Sequence, residues 1–248
     1  MILELDAGNS RIKWRHLNQE SGTVIAEGLA DSPEALLASS AVAARPDMAR
    51  MCSVRAAAAM EVVRDWVASN WGLELQVATV TRSCGGVTNQ YQDVTRMGAD
   101  RWLAMIAAFN ASAGPCLVID AGTALTLDLV DATGLHLGGY ILPGRRLMLS
   151  SLEASTMIRL QSQVAAGVEP GNDTETAVIN GILASQLALI ESAAASLGSQ
   201  RTPATLFLTG GDAALLSSQP SSCELQLRPS LVLDGLAFVC PFALSSPG

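Results

Sequence analysis

Leu3-Glu4-Leu5-Asp6-Ala7-Gly8-Asn9 and Leu117-Val118-Ile119-Asp120-Ala121-Gly122-Thr123 are one pattern met twice: an apolar run, Asp-Ala-Gly, then a small polar residue. The repeat extends past the loop. Ile12 to Leu17 and Thr23 to Ala26 read as strands after the first copy, with a turn at 18–22. Leu125 to Val130 and Leu135 to Ile141 read as strands after the second, with a turn at 131–134. The same β-meander thus appears twice, a domain's length apart, an interval too long for a solenoid repeat. The reading is α/β, a gene-duplicated pair of domains over residues 1–112 and 113–248.

Helices fill the remainder of each half. Ser32-Pro33 offers an N-cap and a first-position proline for a helix to about Ser40. Met51 to Val54 reads as a strand, Met60 to Asn70 as a helix, Leu73 to Val80 as a strand, and Thr81 to Asp93 as a loop. From Gly98 to Ala113 the apolar residues Trp102, Met105, Ile106 and Phe109 follow helical spacing. In the second half a helix follows Pro143-Gly144, to about Leu152. Ser155 to Gly171 reads as a polar loop. Asp173 or Thr174 caps a long helix to about Leu197. Thr205 to Leu208 is a strand running into Thr209-Gly210-Gly211-Asp212-Ala213, which opens a helix, and Ser230 to about Cys240 is a last helix.

Bulk properties narrow the function. The chain of 248 residues is 49% apolar, 15% charged and 4% aromatic, with net charge -8. No basic patch exists beyond the Arg145-Arg146 pair, which argues against nucleic acid and anionic membrane as partners. The five cysteines are scattered and form no C-x-x-C, so they read as buried reduced thiols. Glu4 and Asp6 interrupt any N-terminal signal pattern, and no stretch reads as the ~18 apolar residues of a membrane span. A cytoplasmic protein is expected.

The repeated loop has the chemistry of a phosphate site. Glycine removes side-chain bulk so that backbone can approach a phosphate, and turn amides can donate to its oxygens. An aspartate at the strand end can hold Mg²⁺. Lys13, on the first hairpin, can neutralise phosphate charge as a point cation. Gly98-Ala99-Asp100-Arg101 opens a helix, where an acidic residue matches the dipole. The adjacent Asp and Arg also suit a general base beside an anion clamp. Thr209 to Ala213 suits a flat ring such as adenine. Gly-x-x-x-x-Gly-Lys and Gly-x-Ser-x-Gly do not occur, and His16 and His136 lie on strands away from any nucleophile.

Taken in order, the motifs resemble a known family. Asp6-x-Gly8-Asn9-Ser10 with Lys13, Gly98-x-Asp100-Arg101, Asp120-x-Gly122-Thr123-Ala124 and Gly138-Gly139-Tyr140-Ile141-x-Pro143-Gly144 are followed by Gly171-x-x-Thr174-x-x-Ala177-x-x-x-Gly181 and Thr209-Gly210-Gly211-Asp212. The set resembles the type III pantothenate kinases of bacteria over about residues 2–240. They belong to the superfamily of acetate kinase, sugar kinases, actin and the heat-shock chaperones. The resemblance implies two RNase H-like, actin-like ATPase domains with a nucleotide cleft between them. It implies ATP with Mg²⁺ as phosphate donor, pantothenate as acceptor and coenzyme A synthesis as the pathway. Asp6, Ala7, Gly8, Asn9, Ser10, Arg11, Ile12 and Lys13 match the first ATP segment, and Thr123 a further ATP contact. Asp120 matches the ligand of a monovalent cation, K⁺ or NH₄⁺. Asp100 matches the general base. Gly98, Ala99, Asp100 and Arg101 match the pantothenate run, with Tyr91 and Thr174 as further substrate contacts. Thr176 is the neighbouring candidate, with poorer spacing. Homodimerisation is implied too, the pantothenate pocket being completed across the interface. Ser10 stands where many members have threonine, and both carry a hydroxyl. Residues 155–171 match no motif.

Two other readings share the loops. One is a regulatory protein that keeps ATP binding without catalysis. The other is a kinase or phosphatase of the same superfamily acting on a sugar or polyphosphate. The run from Gly98 to Arg101 separates the first reading from both.

Overall fold

Ile2–Ala7 (β1) turns back through Ile12–Leu17 (β2), and Val24–Ala30 (β3) comes after them. This computed structural model describes residues 1–39, 42–55, 57–112, 114–161, 167–197, 203–219 and 225–242. Pro33–Ala38 (α1) starts as its sequence demands: the Ser32 hydroxyl accepts from the Ala35 amide at 3.1 Å and Pro33 takes the first turn. Met48–Ser53 (β4), Ala57–Trp71 (α2) and Leu75–Val77 (β5) come next. The stretch expected as loop contains Ser83–Cys84 (β6) and Val87–Thr88 (β7), then a 3₁₀ turn at Val94–Arg96 and Ala99–Ala111 (α3).

The second half contains Cys116–Ala121 (β8), Ala124–Val130 (β9), His136–Pro143 (β10), Arg145–Ser155 (α4) and Thr174–Leu197 (α5). Thr205–Thr209 (β11), Ala213–Ser217 (α6), Leu225–Leu227 (β12) and Leu231–Val239 (α7) complete it. The chain forms two compact units. One comprises residues 1–85, 91–107 and those from Leu231 on, and the other residues 86–90 and 108–230. In the first the strand order is β3-β2-β1-β4-β5, and in the second β10-β9-β8-β11-β12. The two orders are the same, each with an antiparallel meander on one side of the central strand and parallel strands on the other.

Strand alternation sorts the residues of each sheet. Leu3, Leu5 and Ala7 of β1, Ile12 and Trp14 of β2 and Ala49 and Met51 of β4 join Leu36 of α1 and Val63 and Val67 of α2 in one core. The opposite face of β1 carries Glu4 and Asp6. Glu4 is opposite Arg15 on one side and Arg50 on the other, and both arginines bond its carboxylate. All three are buried. Arg15 also reaches Asp234 of α7 at 2.7 Å, and Arg50 donates to the Cys240 carbonyl at 2.7 Å. The ionic row therefore anchors the final helix, which lies on β1 and β4.

In the second unit Leu117, Ile119 and Ala121 pack with Leu183, Leu187, Ile190 and Ala193 of α5. By length and composition α5 is apolar enough to cross a bilayer, which corrects the reading that no stretch is. Thr, Asn, Ser and Gln interrupt the run without lowering its mean hydropathy far, and half of that window is buried inside the protein. Cys52, Cys116 and Cys240 are buried and Cys84 is half-buried, all as free thiols, while Cys223 lies outside the described residues. Residues 162–166 of the expected 155–171 loop also lie outside them.

Removing one charge of a buried ionic set leaves the others uncompensated, at about 3–5 kcal/mol. Glu4→Gln is expected to lower the urea midpoint accordingly, where an equivalent exposed change such as Glu61→Gln moves it little.

Candidate active site

Asp6 is the penultimate residue of β1. In register it faces Lys13 of β2 on one side and Cys52 of β4 on the other. Residues opposite each other across a sheet project to the same side with Cβ atoms about 5 Å apart. Lys13, Asp6 and Cys52 therefore form a row beside the ionic row of Glu4. Ala7 and Ile12 are buried and hold the two ends of the turn, while Asn9, Ser10 and Arg11 are exposed on it. Gly8 does not take a left-handed conformation. A Cβ there would meet only the Arg11 carbonyl at an ordinary 3.5 Å. The turn itself does not demand glycine at this position, which leaves close approach by another molecule as a reason for it.

The start of α3 is built differently. The Gly98 carbonyl accepts the first helical bond, from Trp102, at 3.1 Å. The Asp100 carboxylate folds back to accept from the Arg101 amide at 2.8 Å. A Cβ on Gly98 would stand 2.5 Å from that carboxylate oxygen, so glycine here makes room for Asp100. Burial pushes the Cys52 thiol well up, and the fields of Asp6 and then Asp100 add to it. Both carboxylates therefore lie near the end of β4. Asp6 and Asp100, 94 residues apart along the chain, thus share the Cys52 thiol as a neighbour.

Arg101 is buried, donates to the Tyr91 hydroxyl at 3.0 Å and stands 5.8 Å from the centre of its ring. Tyr91 is held in turn by Arg82, whose two terminal nitrogens donate to the Tyr91 and Gln92 carbonyls at 2.7 and 3.1 Å. Sequence reasoning passed over Arg82, since an exposed arginine in a loop carries no pattern.

The second unit holds the other predicted residues. Asp120 is the penultimate residue of β8, opposite Thr126 of β9 and Thr209 of β11. Thr123 is exposed at the turn. Two glycines crowd this aspartate. A Cβ on Gly122 would come within 3.2 Å of its carboxylate, and one on Gly210 within 2.5 Å. Gly210 also has φ +96° and presses on the Ala121 backbone, and the Asp212 amide donates to the Ala121 carbonyl at 2.9 Å. The Thr209–Ala213 turn is thus packed directly on the second Asp-Ala-Gly loop. Gly144 backs the loop from the other direction, its amide donating to the Thr123 carbonyl at 2.9 Å, and a Cβ there would strike the Gly122 carbonyl. Asp173, rather than Thr174, caps α5: its carboxylate accepts from the Thr176 amide at 2.9 Å and the Thr176 hydroxyl at 2.7 Å. The Thr176 hydroxyl is spent on that cap, and Thr174 is exposed at the first helical position.

The predicted residues are divided accordingly. Asp6 to Lys13, Tyr91 and Gly98 to Arg101 belong to the first unit, and Asp120, Thr123 and Thr174 to the second. The sequence profile of type III pantothenate kinase matches residues 2–196. The chain belongs to that family. A type III pantothenate kinase of Ectopseudomonas mendocina is 40% identical over 98% of this chain and 100% of its own length. Among solved structures, a Campylobacter jejuni protein described as a conserved Baf family transcriptional activator superposes with a TM-score of 0.62 at 20% identity, covering 94% of each chain. A Sinorhizobium meliloti protein described as a 2-dehydro-3-deoxygalactonokinase superposes at 0.52 and 15% identity, covering 96% of this chain and 97% of its own. At those identities the likeness is one of fold, and that fold is the actin-like and sugar-kinase one.

The contact between Gly98 and Asp100 makes a test of the first unit. In Gly98→Ala the new methyl displaces the Asp100 carboxylate, and for a group expected to act as the acceptor's base a displacement of ~1 Å costs on the order of a hundredfold. Pantothenate-dependent kcat is expected to fall by that order with the ATP KM unchanged. A kcat within twofold of the parent would contradict the placement.

Proposed function

We propose that the chain transfers the γ-phosphate of ATP to the 4′-hydroxyl of pantothenate, giving 4′-phosphopantothenate in the first step of coenzyme A biosynthesis. The observation that carries this reading is that Asp6 and Asp100 both lie close enough to the Cys52 thiol for their charges to act on it, with Arg101 next to Asp100 in the chain. A carboxylate able to serve as base thus lies near a loop suited to phosphate, in a chain of this family.

In this mechanism the backbone of Ala7, Gly8, Asn9, Ser10, Arg11 and Ile12 cradles the phosphates, and Lys13 neutralises part of their charge. Thr123 adds a contact to ATP. Asp100 accepts the proton of the acceptor hydroxyl, and Arg101 with Gly98, Ala99, Tyr91 and Thr174 holds the pantothenate anion. Phosphoryl transfer needs position and charge neutralisation rather than a protein nucleophile, and this site offers carboxylates, amides and cations.

The residues fit the ions of the reading. Among the described residues no three His, Cys, Asp or Glu gather, so a divalent ion would rest on Asp6 together with phosphate oxygens and water, as Mg²⁺ favours. Asp120, with glycines at 122 and 210 clearing the space around its carboxylate, would hold K⁺ or NH₄⁺. These ions supply charge neutralisation for the phosphates when bound. Cytoplasmic residence, and a second copy completing the pantothenate pocket, belong to the same reading and rest on the family resemblance.

The test is a coupled assay of ADP release with pantothenate, with and without ammonium. General-base catalysis contributes about 10²–10⁴-fold, so Asp100→Asn is expected to lose that much kcat while keeping its melting temperature. Near-parental kcat in Asp100→Asn would remove the base assignment. Binding of ATP by the parent without turnover would favour a regulatory role.

A further inference from the structure

Arg55 stands two residues beyond β4 and is half-buried. Its amide donates to the Ser53 hydroxyl at 3.2 Å, which turns the chain as it leaves the strand. Its Nε donates to the Gly8 carbonyl at 2.7 Å, in the middle of the first Asp-Ala-Gly loop. A guanidinium is a rigid plane with five N–H donors, and one bond through Nε leaves four on the two terminal nitrogens. Among the described residues no carboxylate takes them. Arg15 and Arg50 go to Glu4, Arg11 to Asp31 and Arg145 to Asp212. The exposed Glu34 feels Arg55, yet it is held below its ordinary value chiefly by the Ser32 hydroxyl and only in a smaller part by this arginine.

The position says which phosphate such a fork would meet. Lys13 flanks the loop from β2, and Arg55 flanks it from the β4 side. Cys52, three residues earlier at the same strand end, feels both Asp6 and Asp100. Arg55 therefore stands on the side of the loop where the acceptor's base lies. The acceptor hydroxyl must meet the terminal phosphorus, so the phosphate on that side is the terminal one.

We propose that Arg55 is a further phosphate-binding residue, pinned to the Gly8 carbonyl by Nε and presenting its terminal nitrogens to the γ-phosphate and to the phosphoryl group in transfer. The proposal rests on the kinase reading above. The charge spread over the oxygens of a phosphoryl group in transfer is the target an arginine fork suits, and such arginines carry rate factors of about 10³–10⁵ in other phosphoryl-transfer enzymes.

The experiment is calorimetric titration of the full chain and of Arg55→Gln with ATP and with ADP, each with Mg²⁺, beside turnover with pantothenate. Loss of charge-assisted bonds to the γ-phosphate is expected to weaken ATP about tenfold or more and leave ADP within about twofold. kcat is expected to fall by on the order of a hundredfold or more. Guanidinium ion added to Arg55→Ala should restore part of the lost kcat. An arginine that only shapes the loop would weaken ATP and ADP alike, and that result overturns the proposal, as does unchanged ATP binding. If Arg55→Gln fails to fold, Arg55→Lys, which keeps the charge without the fork, serves for the same comparison. A parent chain that binds no ATP overturns the kinase reading and this proposal with it. A parent that binds ATP beside a variant with no selective loss overturns only the role of Arg55.

Discussion

The Glu4 carboxylate, fully buried between Arg15 and Arg50, governs the geometry of the first unit. Three charged groups taken out of water gain little net stability from one another, but they penalise every arrangement that separates them. A slip of β1 by one residue would turn Glu4 and Asp6 into the apolar core and Leu3 and Leu5 out of it. The ionic row therefore decides which side of the sheet Asp6 occupies. It also reaches outward. Arg15 bonds Asp234 of α7, and Gly235 of the same helix lies against the backbone of Leu103 in α3, where any side chain would collide. Asp100 is one turn before Leu103. A continuous set of contacts thus runs from the centre of the sheet to the helix that begins beside Asp100.

The second unit repeats the strand order and the meander but not the chemistry of its turn. Between Ala7 and Ile12 lie residues 8–11, and between Ala121 and Ala124 only 122–123. The residue opposite the aspartate is Lys13 in the first unit and Thr126 in the second. A longer exposed turn flanked by a cation suits a polyanion. A short turn, with an aspartate crowded by glycines and no lysine beside it, suits a cation. The duplication is plain in the strands, and the division of labour we propose for the loops would rest on the two added residues and one exchanged side chain.

Much of this was legible in the sequence, and the reasons for the remainder are specific. Two copies of strand-Asp-Ala-Gly revealed the duplication because strand ends and glycine turns leave local marks. The α3 start and the Ser32-Pro33 cap were equally local. Register was not legible: nothing in Leu3-Glu4-Leu5 says that its glutamate meets two arginines, one of them 46 residues away. Helical spacing does not say which sheet a terminal helix covers, so the placing of α7 on β1 and β4 was hidden. Leu225–Leu227 was missed because three residues carry no period. Asp173 and Thr174 looked equally fit to cap α5, and only the hydrogen bonds of Thr176 separate them. Arg82 and Arg55 were invisible for one reason: each acts by bonding a distant backbone carbonyl, and no side-chain pattern records that.

The two Asp-Ala-Gly loops suit phosphate without naming an acceptor, and we attribute the choice of pantothenate to Gly98 to Arg101 and Tyr91. The most direct measurement is transfer of label from γ-labelled ATP to a panel of acceptors offered together: pantothenate, hexoses, polyphosphate and water. Label is expected in 4′-phosphopantothenate alone, with one ADP formed per product. Label in a sugar or in inorganic phosphate, with pantothenate untouched, would contradict it.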